Sequence, residues 1–280
     1  MTISRRGSLG LMSGALVAPH AASAATSKLL DFSKEADLFN AQMQVKGSKD
    51  TRLCMGFIKG NYYGLTDNRL KPMYHVLAGT FSRYQKRADG NYDGATFEVA
   101  YFTDWDTNEL LDTYLNPYTG KTVKVPITRM GPSRILMSPG HMTPVASSLP
   151  PGMQVSHRFL PPRVVGDDVW IVEENFVSTP PDFKGPSFNY NEVTTYHASH
   201  KALSNPKEMR APTDVHFSVA VSWRPWLEMG DIKGNLIGNG TGRHINKVEE
   251  FPPEYVALTK KLHPDAINDP LGVLSKIKFD

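Results

Sequence analysis

Asp214-Val215-His216-Phe217-Ser218-Val219-Ala220-Val221-Ser222-Trp223 alternates strictly between two kinds of side chain. Val215, Phe217, Val219, Val221 and Trp223 share one face, and His216, Ser218, Ala220 and Ser222 share the other. A period of two is the pattern of a half-buried β-strand, and no helix places those residues on one side. The same grammar extends outward in both directions. Twenty-one prolines and 22 glycines cut the chain into short pieces rich in Val, Ile, Thr and aromatics, which is strand composition. Strands are expected at 51–59, 73–86, 94–104, 109–115, 121–127, 153–160, 163–177, 191–202 and 214–224. Asn116-Pro117-Tyr118-Thr119-Gly120 reads as a hairpin turn, as do Asp89-Gly90-Asn91 and Gly166-Asp167-Asp168.

Helical periodicity is scarce. Residues 31–44 read as a short helix with Phe32, Leu38 and Phe39 inward. Residues 253–262 read as another, opened by Pro252-Pro253 and closed at His263-Pro264. The proline-rich stretch 131–152 reads as a long loop. Nothing repeats and composition does not shift, so one domain is expected over 25–280. The expected fold is mainly β: an antiparallel closed or partly closed, lipocalin-like β-barrel with short N- and C-terminal helices, since closure removes sheet edges.

Residues 1–24 read differently. Ser4-Arg5-Arg6 precedes a short apolar run, Leu9 to Ala18, and then Ala22-Ser23-Ala24, a small-x-small cleavage site. That is the layout of a twin-arginine export signal, which predicts a periplasmic protein and the twin-arginine translocase as a partner during export. The run is too short for a membrane span of roughly 20 residues, so no stable membrane anchor is expected. Arg5 and Arg6 supply two of the formal +3 charges, leaving a near-neutral body with no basic patch for nucleic acid. The single cysteine, Cys54, cannot form an internal disulfide and sits in an apolar run, where it reads as a small buried hydrophobe.

Motifs that fix a reaction are absent. The glycines Gly230, Gly234, Gly238, Gly240 and Gly242 lack the GxGxxG spacing and read as bends and bulges between strands. There is no CxxC, HExxH or EF-hand loop, and His197 and His200 are three apart, so no metal or other cofactor is expected. His75, His157, His197 and His216 fall on expected strands and can converge in a barrel only through the fold. Of Glu173 and Glu174, adjacent on a strand, one points inward, where an apolar interior raises a carboxyl pKa and makes it an acid or base. Trp223-Arg224-Pro225-Trp226 places two indoles around a guanidinium, Tyr114, Tyr118, Tyr190 and Tyr196 add phenols, and such a grouping suits flat or acidic organic molecules.

Three stretches in order, 109–127 (ELLDTYLNPYTGKTVKVPI), 194–199 (TTYHAS) and 222–245 (SWRPWLEMGDIKGNLIGNGTGRHI), resemble the bacterial domain-of-unknown-function family 1838. The anchors are the Asn-Pro-x-Thr-Gly hairpin, the Tyr196-His197 pair and the Trp-x-Pro-Trp-x-x-Met-Gly run at 223–230. The resemblance spans roughly residues 30–245. It implies a β-rich single domain, often with a twin-arginine signal, and no catalytic assignment. Some relatives occur in bacteria that degrade aromatic and lignin-derived compounds, so the resemblance also implies that such a substrate is plausible.

The first expectation is an exported, cofactor-independent lyase, isomerase or hydrolase acting on a small aromatic or apolar molecule in a barrel pocket. His197 is then the general base, Tyr196 or Tyr114 the acid or phenol donor, Arg224 the anion clamp, and Glu173 the group that orients the histidine. Trp223, Trp226, Tyr118, Asn116 and His216 would contact the ligand. The alternatives are a non-catalytic carrier or sensor of small apolar ligands, which needs no base, and an interaction module, which needs no pocket. Oligomeric state is open.

Overall fold

The computed structural model describes residues 28–146, 152–180 and 187–279; residues 1–24, read as an export signal, lie outside them. Among the described residues thirteen strands form: β1 (Cys54–Thr66), β2 (Arg69–Lys86), β3 (Tyr92–Thr103), β4 (Thr113–Leu115), β5 (Thr122–Lys124), β6 (Thr128–Ser138), β7 (His141–Ala146), β8 (Gln154–Phe159), β9 (Arg163–Val165), β10 (Asp168–Ser178), β11 (Asn189–Ser199), β12 (Asp214–Ser222) and β13 (Asn235–Ile245). Five helices accompany them: α1 (Glu35–Lys46), α2 (His200–Ser204), α3 (Pro253–Leu262), α4 (Pro264–Asn268) and α5 (Pro270–Leu274). Eleven strands make one antiparallel sheet in the order β7-β6-β3-β2-β1-β13-β12-β11-β10-β8, with β9 beside β10, and β4-β5 is a separate hairpin.

The sheet rolls into a nearly closed barrel whose seam lies between β7 and β8. There the Phe159 N–H donates to Gly140 O (2.8 Å) and the Met142 N–H donates to the His157 ring (2.8 Å). The opening alternation is kept: Val215, Phe217, Val219 and Val221 are buried while His216 faces solvent. Of the stretch 131–152, residues 131–146 are not a loop. Most of it is the β6-β7 hairpin, whose Pro132 and Pro144 do not stop it pairing. Residues 235–245, expected to hold only glycine bends, form the central strand β13. Gly60 and Gly240 pair directly, and a Cβ on either would lie within 3.0 Å of the Phe217 ring. The bare backbone makes the room that Phe217 fills.

Three apolar clusters organise the molecule. In one, α1 enters an end of the barrel. Residues 41–45 are all buried, the mark of a helix enclosed on every side. Met43 and Val45 meet Tyr84, Ile171, Tyr196 and Val215. In the second, the β4-β5 hairpin and the turn at 225–227 close the other end, where Tyr114 and Trp226 pack on Tyr74 and Phe102. The third is external: α3, α4 and α5 cover the outer face of β2 and β3 around Phe81, Phe97, Tyr101 and Tyr255. Those two strands are therefore apolar on both faces, which blurs their alternation. Among the described residues no helix is long and apolar enough to cross a membrane.

Candidate functional site

Between the two internal clusters lies a cavity of about 350 Å³. Its wall is more polar than a barrel core needs to be. Lys46, Glu98, Glu192, Tyr196 and His244 all reach it, from α1, β3, β11 and β13. Two groups of side chains share this space and differ in one respect: one is saturated, the other is not.

The saturated group is built on Glu173, 3% exposed on β10. Gly47, directly after α1, lies against the Tyr84 ring with no room for a Cβ, and so delivers Lys46 into the lumen. The Lys46 Nζ donates to both Glu173 oxygens (2.7 and 2.8 Å) and to the Tyr196 Oη (3.2 Å), spending its three protons. Tyr196 donates to Glu173 Oε2 (2.6 Å), and His157 Nε2 lies 2.7 Å from Oε1. His157 Nδ1 accepts the Met142 N–H, so Nε2 carries the proton and donates. Burial alone would push the Glu173 carboxyl up, but the Lys46 charge and the His157 N–H hold it down at about 2. The expected rise is thus reversed, because a buried carboxylate with this many donors is stabilised as the anion. Burial would lower the Lys46 ammonium, but the Glu173 charge keeps it well above its usual value.

The open group is built on Glu98. A β-bulge in the β3-β6 ladder, between Thr96 and Glu98, sits beside it, a device that re-aims side chains. No hydrogen bond reaches this carboxyl among the described residues. Burial, then the charge of Glu192, raise it to about 7. Glu192 is held by the Tyr190 hydroxyl, which donates to Oε2, and by Thr194 Oγ1, which donates to Oε1 (3.0 Å). Burial and then Glu192 keep Tyr190 protonated well above the ordinary phenol range. His244 Nδ1 faces the Ala211 carbonyl at 3.4 Å, and a carbonyl only accepts, so Nε2 is a free acceptor. Burial, then Arg210, hold this imidazole down at about 3, so it is neutral.

Of the residues singled out from sequence, Tyr190 and Tyr196 line the cavity, and Glu173 stands behind Tyr196. Their neighbour His197 points the other way. It stacks on Trp170 (5.0 Å between centroids) outside the barrel and bonds Asp168 (2.7 Å). Glu173 orients His157 rather than His197. His216 is exposed on the outer face. Tyr114, Asn116, Tyr118, Trp223 and Trp226 belong to the end plug. Asn116 is fully buried, donates to Leu227 O (2.6 Å) and accepts the Tyr118 N–H (2.9 Å). Trp223 donates to Ile232 O (2.9 Å) and packs on Tyr118. Arg224 sits among the Tyr62, Tyr74 and Tyr190 phenols, and its charge reaches Glu98. Cys54 is buried and raised to about 11 by that burial, an inert thiol.

Sequence reasoning missed Glu98, Glu192, Lys46, Thr194 and His244. One signal was present: Glu98 is in phase with the inward Ala100 and Phe102, and Glu192 with the inward Tyr196. Among the described residues no three of His, Cys, Asp and Glu gather as metal ligands would.

Fold and site together define a class: an antiparallel β-barrel plugged at both ends around a polar, acid-bearing lumen. Residues 56–272 match the family model described as protein of unknown function (DUF1838), and the chain belongs to that family. Comparison with curated protein sequences finds no match.

Proposed function

We propose that the barrel is a cofactor-independent enzyme that moves a proton on a small molecule held in the lumen, with Glu98 as the general base. One observation carries this reading: Glu98 is an unbonded carboxyl, raised to about 7, facing a cavity. A base poised near the working pH combines the right protonation state with a useful driving force. Glu98 takes a proton from substrate carbon. Returning it to another carbon gives an isomerase; expelling a leaving group from the neighbouring carbon gives a lyase. Asn175, on the same wall, offers amide N–H groups to the negative charge that develops. Ile58, Ile135, Met142 and Val215 supply the apolar wall, in keeping with a small aromatic or otherwise apolar substrate body, lignin-derived compounds included.

The test works without an identified product. A panel of small carbon acids is incubated with the protein in D2O and followed by mass spectrometry. Deuterium should enter at least one compound, with the rate rising with pH to a plateau above about 7. Glu98→Gln should lower that rate by about 10²–10⁴ and remove the pH limb. Exchange that survives Glu98→Gln unchanged refutes the assignment. A ligand that binds with no exchange at any position favours the carrier reading.

The paired arginines of residues 1–24 support export to the periplasm through the twin-arginine translocase. Replacing Arg5 and Arg6 together with Lys should retain the full-length chain in the cytoplasmic fraction.

A further inference from the structure

The lumen can be read as a balance of donors and acceptors. The ammonium and the hydroxyls that face its carboxyls are spent inside the protein, and Arg224, whose Nε is buried without a partner, stands behind the wall rather than in it. All three Lys46 protons go to Glu173 and Tyr196, and the Tyr196 proton goes to Glu173. The Tyr190 and Thr194 hydroxyl protons go to Glu192, and the His244 proton points at a backbone carbonyl. Besides the Asn175 amide, the unspent groups are acceptors: both oxygens of Glu98, the second lone pairs of Glu192, and His244 Nε2. Two half-buried carboxyl groups therefore share a cavity whose lining ammonium is already committed to a third.

We infer that the lumen recognises a ligand bearing a protonated nitrogen, a small primary or secondary ammonium on an apolar body. This rests on the reading of the lumen as a ligand site and names the ligand class it takes. Glu192 and His244 Nε2 accept the N–H donors, while Glu98, facing them, remains the base. With Lys46 committed to Glu173, two partly buried carboxyl groups face the single Arg224 charge, and a bound cation supplies the second counter-charge. The groups that bear on Glu98 are Glu192 and Tyr190 on β11, Tyr62 on β1, Lys46 on α1 and Arg224 after β12, and His244 on β13 lines the same cavity. Of these cations, Lys46 is tied to Glu173, and Arg224 lies among phenols.

The experiment is calorimetric binding on the intact protein with matched probes: methyl-, butyl-, benzyl- and phenethylammonium, then benzyl alcohol and benzoate, then Ca²⁺ and Mg²⁺. At least one aromatic or butyl ammonium should bind at pH 8, at least tenfold tighter than its neutral and anionic counterparts. Its affinity should fall about tenfold at pH 6, where Glu98 holds a proton. Glu192→Gln should weaken the ammonium at least tenfold and leave benzyl alcohol unchanged. Charge selectivity in the unaltered protein is informative even if that variant fails to fold. Binding of benzoate or benzyl alcohol as tight as benzylammonium, binding of the divalent ions alone, or no binding by any ammonium would each overturn the inference. The deuterium-exchange test separates the two proposals. Ammonium binding without exchange leaves this inference standing and removes the enzyme. Glu98-dependent exchange without ammonium selectivity does the reverse.

Discussion

Glu98 and Glu173 show how one residue type acquires opposite properties in one barrel. Both point inward from strands, and burial pushes both carboxyls up. Glu173 meets Lys46, His157 and Tyr196 and ends at about 2; Glu98 meets a second carboxylate and ends at about 7. The consequences for stability have opposite sign. Glu173 is depressed below its ordinary value of 4.5, so its contribution is complete above that pH and is lost as pH falls toward 2. Removing its charge leaves the buried Lys46 with the Tyr196 hydroxyl but no counter-charge, so Glu173→Gln should cost about 3–5 kcal/mol in urea unfolding at pH 7.5. Glu98 is raised, so its ionisation in the folded state destabilises as pH climbs from the unfolded value of 4.5 toward about 7. Glu98→Gln should therefore unfold at higher urea than the parent at pH 8, by up to about 3 kcal/mol, and match it near pH 4. A Glu98→Gln protein less stable than the parent at pH 8 contradicts this account. Little of this was legible in the sequence. Lys46 and Glu173 are 127 residues apart, and no local pattern reports a partner at that distance.

Elements were easier to read where one face is buried and one is wet. β12 was legible because its inward residues are apolar, and α3 because prolines bracket it. β13 was not, because Gly238, Gly240 and Gly242 hold three successive inward positions and carry no hydrophobic signal. The β6-β7 hairpin was hidden by prolines that its ladder accommodates. The β4-β5 hairpin was recognised as a turn, but its aromatic neighbours were read as pocket wall. In the structure they are a plug, stapled by Asn116 to the turn that carries Trp226. The role is therefore separable by experiment. Asn116→Ala removes a buried bond to Leu227 and should cost about 1–3 kcal/mol in thermal or urea unfolding. It should leave ligand affinity in the lumen within about twofold, because Asn116 does not line that cavity. A large loss of affinity with unchanged stability would return the hairpin to the binding site.

At the scale of the molecule, a barrel was the right inference from many short antiparallel strands. The sequence did not say where it closes or how evenly. β1 pairs with both β2 and β13 along its length, a ladder that joins residues almost 200 positions apart. Such non-local pairing folds slowly, which fits a chain that would be exported already folded. The β7-β8 seam is held differently. Beyond the Phe159-to-Gly140 bond it relies on His157, which accepts from the Met142 N–H while its own carbonyl lies 3.0 Å from His141 Nδ1. A ladder replaced by side-chain bonds opens at lower free energy than a continuous one. His157 also bonds Glu173, so the seam is tied to the saturated network behind the cavity. Hydrogen exchange should find the Met142 and Phe159 amides exchanging at least tenfold faster than those of Ile58 and Val76, which lie in the β1-β2 ladder. His157→Ala should widen that gap at the seam while leaving β1 and β2 unchanged. A bound ligand that must pass this way should slow exchange at Met142 more than at Ile58. If the seam amides are as protected as the β1-β2 ladder in the free protein, the barrel is closed all round and the ligand enters elsewhere.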